Sequence, residues 1–284
     1  MVAGIGLVGA FSYLGAATYT HPHRHPATST PAEVGLAYED VRFISEDGLR
    51  IAAWYVPSTN RSAVILLHGL GGNRGGGLRL ARDLAAHGYG LIMLDLRAHG
   101  DSEGAVSTLG VLEVRDVRAA VDYLQTRPDV DAARITIYGG SLGASVAVLA
   151  AAEIPEIRAV VADSAFASVD WLVGNQFGNL LALPPWMASL VVRWGNIQTG
   201  VDATRVAPVE RVGRISPRPL MIIHGEADDF FSVQNARLMA EAAREPKEVW
   251  IVPGVGHTAV YATDPPGYVA RVTAFLEKAM RNAE

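Results

Sequence analysis

Six short and almost entirely apolar runs recur along the chain, each separated from the next by a longer segment with room for a helix. A strand that is apolar on both sides is buried on both faces, which is typical of a parallel sheet covered by two layers of helices. The runs occupy residues 63–67, 91–94, 134–138, 159–162, 220–223 and 248–252. They predict an α/β fold with a mostly parallel central sheet flanked by helices.

Two further β-rich runs precede this series, at residues 38–44 and 49–56, and flank the turn sequence Glu46-Asp47-Gly48. A short glycine-containing turn between two such runs is a hairpin signal, so we expect the sheet to open antiparallel. The stretch between the runs at 159–162 and 220–223 is too long for one crossover. We therefore predict a helical cap inserted at about residues 166–205, within a single domain of residues 37–284.

Residues 1–20 contain no charged side chain, and a membrane span needs about 20 apolar residues. We interpret them as an uncleaved anchor, with a cleaved signal segment and a soluble start as the alternatives, because the segment lacks the positively charged start expected of a secretory signal. Membrane association is possible through this segment, and we therefore expect an anchored or secreted protein. If residues 1–20 do not insert, we expect a cytoplasmic protein. Residues 21–36 are expected to form a linker, whose three histidines we interpret as solvated.

Composition excludes several classes of function. The formal net charge of -5 and the absence of Lys/Arg-rich runs argue against a nucleic-acid partner. The chain has no cysteine, so disulfides, thiolate metal sites and cysteine nucleophiles are excluded. Covalent catalysis is left to Ser, Thr, Lys or a carboxylate. We expect no cofactor and no metal.

The pattern Gly-x-Ser-x-Gly occurs twice, around Ser102 and around Ser141. Ser141 follows the β-branched run 134–138 and precedes a small-residue segment with helical character, which is the strand, tight turn and helix of a nucleophile elbow. Ser102 lies in a polar loop between two acidic residues, whose charges would oppose a developing oxyanion. Ser141 is therefore the predicted nucleophile, and Ser102 is interpreted as a loop residue.

A serine nucleophile requires a base within hydrogen-bond reach and an acid that orients the base. His257 lies in a glycine-flanked loop after the last apolar run and is the predicted base. Asp228 follows the run 220–223 and is the predicted acid, with Asp229 and the more distant Asp163 as competitors. These choices give the chain order Ser, Asp, His.

Backbone amides are the predicted donors to the oxyanion. The sequence His68-Gly-Leu70-Gly-Gly-Asn follows the first long buried run, and its glycines allow N–H groups to point into a site. We predict the N–H groups of Leu70 and Leu142 as the oxyanion pair. His68, and His224 beside the predicted acid, are interpreted as residues that brace their loops.

These motifs resemble the α/β-hydrolase superfamily, and within it the BEM46-like group, which carries a short apolar N-terminal segment. The resemblance covers about residues 38–280 and rests on HGLGGN (68–73), LDLRAHGDSEG (94–104), YGGSLGASVA (138–147), DSAF (163–166), IHGEADD (223–229) and PGVGH (253–257). It implies the α/β-hydrolase fold, a Ser-His-Asp triad and a structural role for the loop that contains Ser102. The oxyanion loop departs from the HGGG of the hormone-sensitive-lipase type.

Aromatic residues are concentrated in the predicted cap, which has few charges. They predict an apolar acyl pocket, although the same residues are equally suited to packing the cap onto the domain. The candidate pocket residues are Phe166, Trp171, Phe177, Trp186 and Trp194. The sequence thus predicts a hydrolase of small uncharged carboxylic esters with short or medium acyl chains. The alternatives are a peptidase, amidase or thioesterase of the same fold, or a non-catalytic membrane-tethered binding protein.

Overall fold

The computed structural model describes residues 2–180 and 185–281, with side chains for residues 7–174 and 186–281. One eight-stranded sheet has the strand order β1-β2-β4-β3-β5-β6-β7-β8. Strand β2 is antiparallel to both of its neighbours, and all other pairs are parallel. The strands are β1 Glu39–Ile44, β2 Arg50–Val56, β3 Ala63–Leu67, β4 Gly90–Leu94, β5 Ile135–Gly140, β6 Ile157–Asp163, β7 Leu220–Gly225 and β8 Lys247–Val252.

Helices cover both faces of the sheet, and the predicted fold class is confirmed. The helices are α1 Val2–Thr20, α2 Leu78–Ala86, α3 Glu113–Gln125, α4 Leu142–Glu153, α5 Val169–Leu180, α6 Pro185–Thr199, α7 Pro208–Arg211, α8 Gln234–Ala242, α9 Val260–Thr263 and α10 Pro265–Arg281. The antiparallel opening predicted from the turn Glu46-Asp47-Gly48 is the β1–β2 hairpin.

Alternation along the strands divides the interior into two cores. In β3, Ile65 and Leu67 belong to the core beneath α3 and α4, whereas Val64 and Leu66 belong to the core beneath α2 and α10. Successive side chains of a strand point to opposite faces, so a fully apolar strand supplies both layers. The sheet thereby holds the carboxyl ends of its parallel strands along one edge.

Helices α5 and α6 lie between β6 and β7, in the interval where a cap was predicted. Helix α1 packs along α6, and the ring of Tyr13 meets the ring of Trp194 edge-on at 5.4 Å. Gln198 joins the two helices by donating to the Tyr13 carbonyl at 3.0 Å. Within the described part of the chain, no helix combines the length and the apolarity needed to cross a membrane.

Residues of the predicted linker 21–36 lie against the domain. The Arg24 guanidinium donates to the carbonyls of Ser102 and Gly104, and the Asn73 side chain donates to the carbonyl of His25 at 2.9 Å. These contacts hold the segment after α1 against the loops that contain Ser102 and Asn73.

Candidate active site

Ser141 occupies a sharp turn between β5 and α4. Its φ of +56° lies in the left-handed region, which a non-glycine residue adopts at a cost in strain. Two neighbouring glycines permit the turn: a Cβ on Gly143 would lie 2.5 Å from the Leu67 carbonyl oxygen, and one on Gly139 would overlap the Gly143 carbonyl. The turn is therefore pressed against both the preceding strand and β3, and it holds Ser141 at the carboxyl edge of the sheet.

His257 and Asp228 reach Ser141 from the ends of β8 and β7. His257 Nε2 lies 2.9 Å from Ser141 Oγ, and His257 Nδ1 lies 2.7 Å from Asp228 Oδ2. Both distances are within hydrogen-bond range. The structure thus brings together the three side chains predicted as nucleophile, base and acid.

Asp228 is buried and remains a carboxylate. Burial acts to raise its pKa, but hydrogen bonds from His224 and His257 and from the Phe231 amide outweigh burial and hold the pKa well below its usual range. Oδ1 accepts the amides of Phe230 and Phe231 at 3.0 and 2.7 Å, whereas Oδ2 faces His257 Nδ1 at 2.7 Å and His224 Nε2 at 3.2 Å. An ionised carboxylate only accepts hydrogen bonds, so His257 Nδ1 carries the imidazole hydrogen. The other nitrogen, Nε2, therefore presents its lone pair to Ser141.

The loop after β3 runs alongside Ser141. A Cβ on Gly69 would lie 3.2 Å from Ser141 Cβ. Within the described residues, neither the Leu70 nor the Leu142 amide has a hydrogen-bond acceptor. The oxyanion role predicted for these two N–H groups therefore meets no competing acceptor among these residues.

His68 braces this loop. Its Nδ1 lies 2.8 Å from the Gly69 carbonyl oxygen, and its Nε2 accepts the Leu96 amide at 3.0 Å. Burial, together with the nearby His99, lowers the pKa of His68 to about 3. The imidazole is therefore neutral and positions the loop through its two fixed hydrogen bonds.

Among the described residues, the competing candidates Ser102, Asp163 and Asp229 form no hydrogen bond with His257. Ser102 is fully buried, and its Oγ donates to the Asp95 carbonyl at 2.6 Å and accepts the Ala52 amide at 2.8 Å. Asp163 bonds to Tyr268 and Ser164 instead of to His257, and Asp229 is exposed.

Comparison with known proteins agrees with the fold. The profile of the α/β-hydrolase fold matches residues 62–204. The uncharacterized protein Rv2307c of Mycobacterium tuberculosis is 32% identical over 237 residues, which cover 82% of this chain and 75% of that protein. The chain belongs to the α/β-hydrolase family.

Two further similarities extend over most of the molecule. The uncharacterized protein YfhR of Escherichia coli K12 is 29% identical over 227 residues, covering 77% of this chain and 73% of that protein. The structure of the esterase Pf2001 of Pyrococcus furiosus matches with a TM-score of 0.77 and 28% identity, covering 92% of this chain and 99% of that one.

The cap aromatics of this α/β hydrolase lie in different surroundings. Phe166 is buried, and its ring packs on Phe231 at 5.7 Å. Trp171 is half-buried, Trp186 is 54% exposed, and Trp194 packs on α1. The side chain of Phe177 lies outside the described residues. Phe166 is thus the predicted pocket residue that packs on a ring next to His257.

Two aromatic residues that sequence analysis did not identify flank the candidate base. The rings of Phe230 and Phe231 lie 5.0 and 4.8 Å from the imidazole of His257. Phe231 is buried and Phe230 is 50% exposed, so the pair forms an apolar wall that begins at the surface. Their position two and three residues after the predicted acid is a signal that could have identified them.

Among the described residues of the α/β hydrolase, no three His, Asp or Glu side chains are grouped as a metal ion would require.

Proposed function

We propose that this α/β hydrolase cleaves carboxylic esters, with Ser141 as nucleophile, His257 as general base and Asp228 as the acid that orients it. The observation that carries the proposal is the continuous path of hydrogen bonds from Ser141 Oγ to His257 at 2.9 Å and on to Asp228 at 2.7 Å. The strained backbone of Ser141 adds support, because a nucleophile elbow exposes its hydroxyl in this way.

In the proposed reaction, Ser141 Oγ attacks the ester carbonyl carbon and His257 Nε2 takes the hydroxyl proton. The carbonyl oxygen becomes an oxyanion that accepts hydrogen bonds from the Leu70 and Leu142 amides. Its collapse breaks the bond to the alcohol, which leaves with the proton held by His257. Water then attacks the acyl-enzyme, again losing a proton to His257, and releases the acid and free Ser141.

The proposed substrates are uncharged esters with short or medium acyl chains. The apolar wall of Phe230 and Phe231 beside His257, continued inward by Phe166, supports an uncharged acyl group. The similarity to Pf2001, a protein described as an esterase, supports ester over amide cleavage.

The test is turnover of p-nitrophenyl butyrate by wild type and by Ser141→Ala, together with labelling of Ser141 by a fluorophosphonate. We expect turnover and labelling in the wild type and neither in the variant. Matched anilide and thioester substrates distinguish the peptidase and thioesterase alternatives. An unlabelled wild type with no ester turnover would support a non-catalytic binding protein instead.

We further propose that α1 rests on a membrane surface, a location consistent with the BEM46-like resemblance. The buried residues of α1 are small, namely Ser12, Ala16 and Thr20, and the ring of Tyr13 packs on Trp194, whereas Leu7 and Leu14 are 73% and 63% exposed. Large apolar residues pointing outward on an uncharged helix are suited to contact with lipid acyl chains.

Flotation with neutral phosphatidylcholine vesicles tests this second proposal. We expect the wild-type protein to float with the vesicles and Leu7→Gln/Leu14→Gln to remain in solution, because two apolar contacts are lost. A double variant that floats as well as the wild type would contradict a role for this face. Ester turnover in detergent-free buffer shows that the variant is folded.

A further inference from the structure

A polar cavity of about 200 Å³ lies at the amino end of the sheet, opposite the candidate active site. Three of its lining residues, Ser62, Tyr89 and Arg134, each directly precede a strand, namely β3, β4 and β5. In the sheet register, Ala63 pairs with both Gly90 and Ile135. Parallel pairing therefore brings the side chains of Ser62, Tyr89 and Arg134 together at the amino edge of the sheet. The same pairing brings the proposed catalytic groups together at the carboxyl edge.

Helix α10 supplies the other wall through Glu277 and Arg281. The guanidinium groups of Arg134 and Arg281 and the carboxylate of Glu277 give the lining one net positive charge. Glu277 and Arg281 form only a long contact of 3.9 Å, with side chains 55% and 70% exposed. An exposed pair at this distance interacts weakly, so the carboxylate stays available to a ligand.

Two buried groups in the lining have no partner. Ser62 is 1% exposed, and its Oγ has no hydrogen-bond partner among the described residues. Arg134 Nε is likewise shielded and unpartnered. The Ser62 main chain is already satisfied by Asn60 and Ser58, so its hydroxyl is the polar group of this lining residue that is left without a partner. Unmet buried polar groups are costly, and a ligand that pairs with them recovers that cost.

Tyr89 adds a neutral donor. Burial, reinforced by Glu277, raises the pKa of Tyr89 to about 12. Its hydroxyl therefore keeps its hydrogen at neutral pH and can donate to an anion.

We propose that this cavity binds hydrogen phosphate. Ser62, Tyr89 and Arg134 supply donors to its oxygens, and charge-assisted bonds from guanidinium groups are the strongest of these. Glu277 selects among anions, because an ionised carboxylate only accepts hydrogen bonds. Inorganic phosphate keeps at least one proton at neutral pH and can donate it to Glu277, whereas sulfate has the same shape and no proton.

Isothermal titration of the full chain at constant ionic strength, with inorganic phosphate, sulfate and glycerol 3-phosphate, tests the proposal. We expect saturable phosphate binding, with sulfate at least about tenfold weaker because it leaves the Glu277 carboxylate opposed to an anion. Glycerol 3-phosphate, mostly a dianion without an acidic proton at neutral pH, should resemble sulfate. The proposal would be overturned by equal affinity for all three anions, by tighter binding of glycerol 3-phosphate than of inorganic phosphate, or by the absence of saturable binding.

Variants locate the binding. Arg134→Gln should weaken phosphate binding about tenfold or more, since hydrogen bonds to charged groups are among the strongest. Glu277→Gln should abolish the preference for phosphate over sulfate. The matched control is Arg42→Gln, which removes the same charge from an exposed site on β1 and should bind phosphate as the wild type does. Should Arg134→Gln fail to fold, Ser62→Ala takes its place.

An Arg134→Gln variant that binds phosphate like the wild type would refute the assignment. Ester turnover should be the same in Arg134→Gln and the wild type, because the cavity and Ser141 lie at opposite ends of β5. Phosphate binding and ester turnover are therefore measured separately, and a failure of either one does not affect the test of the other.

Discussion

Replacing Asp228 with asparagine separates the two tasks of this side chain. Oδ1 accepts two backbone amides, and Oδ2 accepts the Nδ1 hydrogen of His257 at 2.7 Å. An asparagine has only one acceptor oxygen, so it cannot satisfy both sides. If its oxygen faces the Phe230 and Phe231 amides, its NH₂ group faces His257 and forces the imidazole to carry its hydrogen on Nε2.

In that tautomer, His257 cannot accept the proton of Ser141. We expect kcat for p-nitrophenyl butyrate to fall about ten-thousandfold with little change in KM. The fall corresponds to about 5.4 kcal/mol, at about 1.36 kcal/mol for each factor of ten. In the opposite amide orientation, the Phe230 and Phe231 amides lose their acceptor, which would lower the free energy of unfolding by about 1–3 kcal/mol for the buried Phe231 amide and by less for the partly buried Phe230 amide.

Steady-state turnover and urea unfolding of the same preparations distinguish the two orientations. Asp229→Asn is the matched control, because this neighbouring carboxylate is exposed. The control should retain wild-type turnover and stability. Turnover of Asp228→Asn within tenfold of wild type, with unchanged unfolding, would refute the assignment of Asp228 as the orienting acid.

Further predictions concern the elbow and its supporting loop. Gly139→Ala should abolish turnover because its Cβ overlaps the next turn, whereas Gly140→Ala, with open space at its Cβ, should remain active in the same assay. Arg97→Met should lower the free energy of urea unfolding by about 3–5 kcal/mol, because it removes a 2.7 Å ion pair and leaves Asp116 buried without its partner; an unchanged midpoint would contradict this. Ser102→Ala should lose about 1–3 kcal/mol of stability yet retain the kcat of its folded fraction, since its Oγ only joins backbone groups. Loss of kcat equal to that of Ser141→Ala would overturn the choice between the two serines.

Much of the sheet could be predicted from local pattern. The apolar run 63–67 coincides with β3. Four of the other runs lie within their strands, and the run 134–138 begins one residue before β5. Each predicted triad residue follows such a run. Because parallel strands end at one edge, the order along the chain was sufficient to predict that Ser141, Asp228 and His257 would approach one another.

Other features depended on packing between distant segments. The surroundings of Trp194 were not predictable, because its partner Tyr13 comes from a helix that sequence analysis treated as a separate anchor. The contact of Phe230 and Phe231 with His257 depends on how the loop after β7 packs against the loop after β8. No periodicity in either segment encodes that approach.

The sequence by itself determined which segments are strands and which residues end them, because burial on both faces demands continuous apolar runs whatever their neighbours are. Only the tertiary structure decided how closely these side chains approach and which further residues surround them. Strand order and register bring Ser62, Tyr89 and Arg134 together across more than seventy residues, and they set the 2.9 and 2.7 Å distances around His257. Such distances depend on close packing between elements that are remote in the chain.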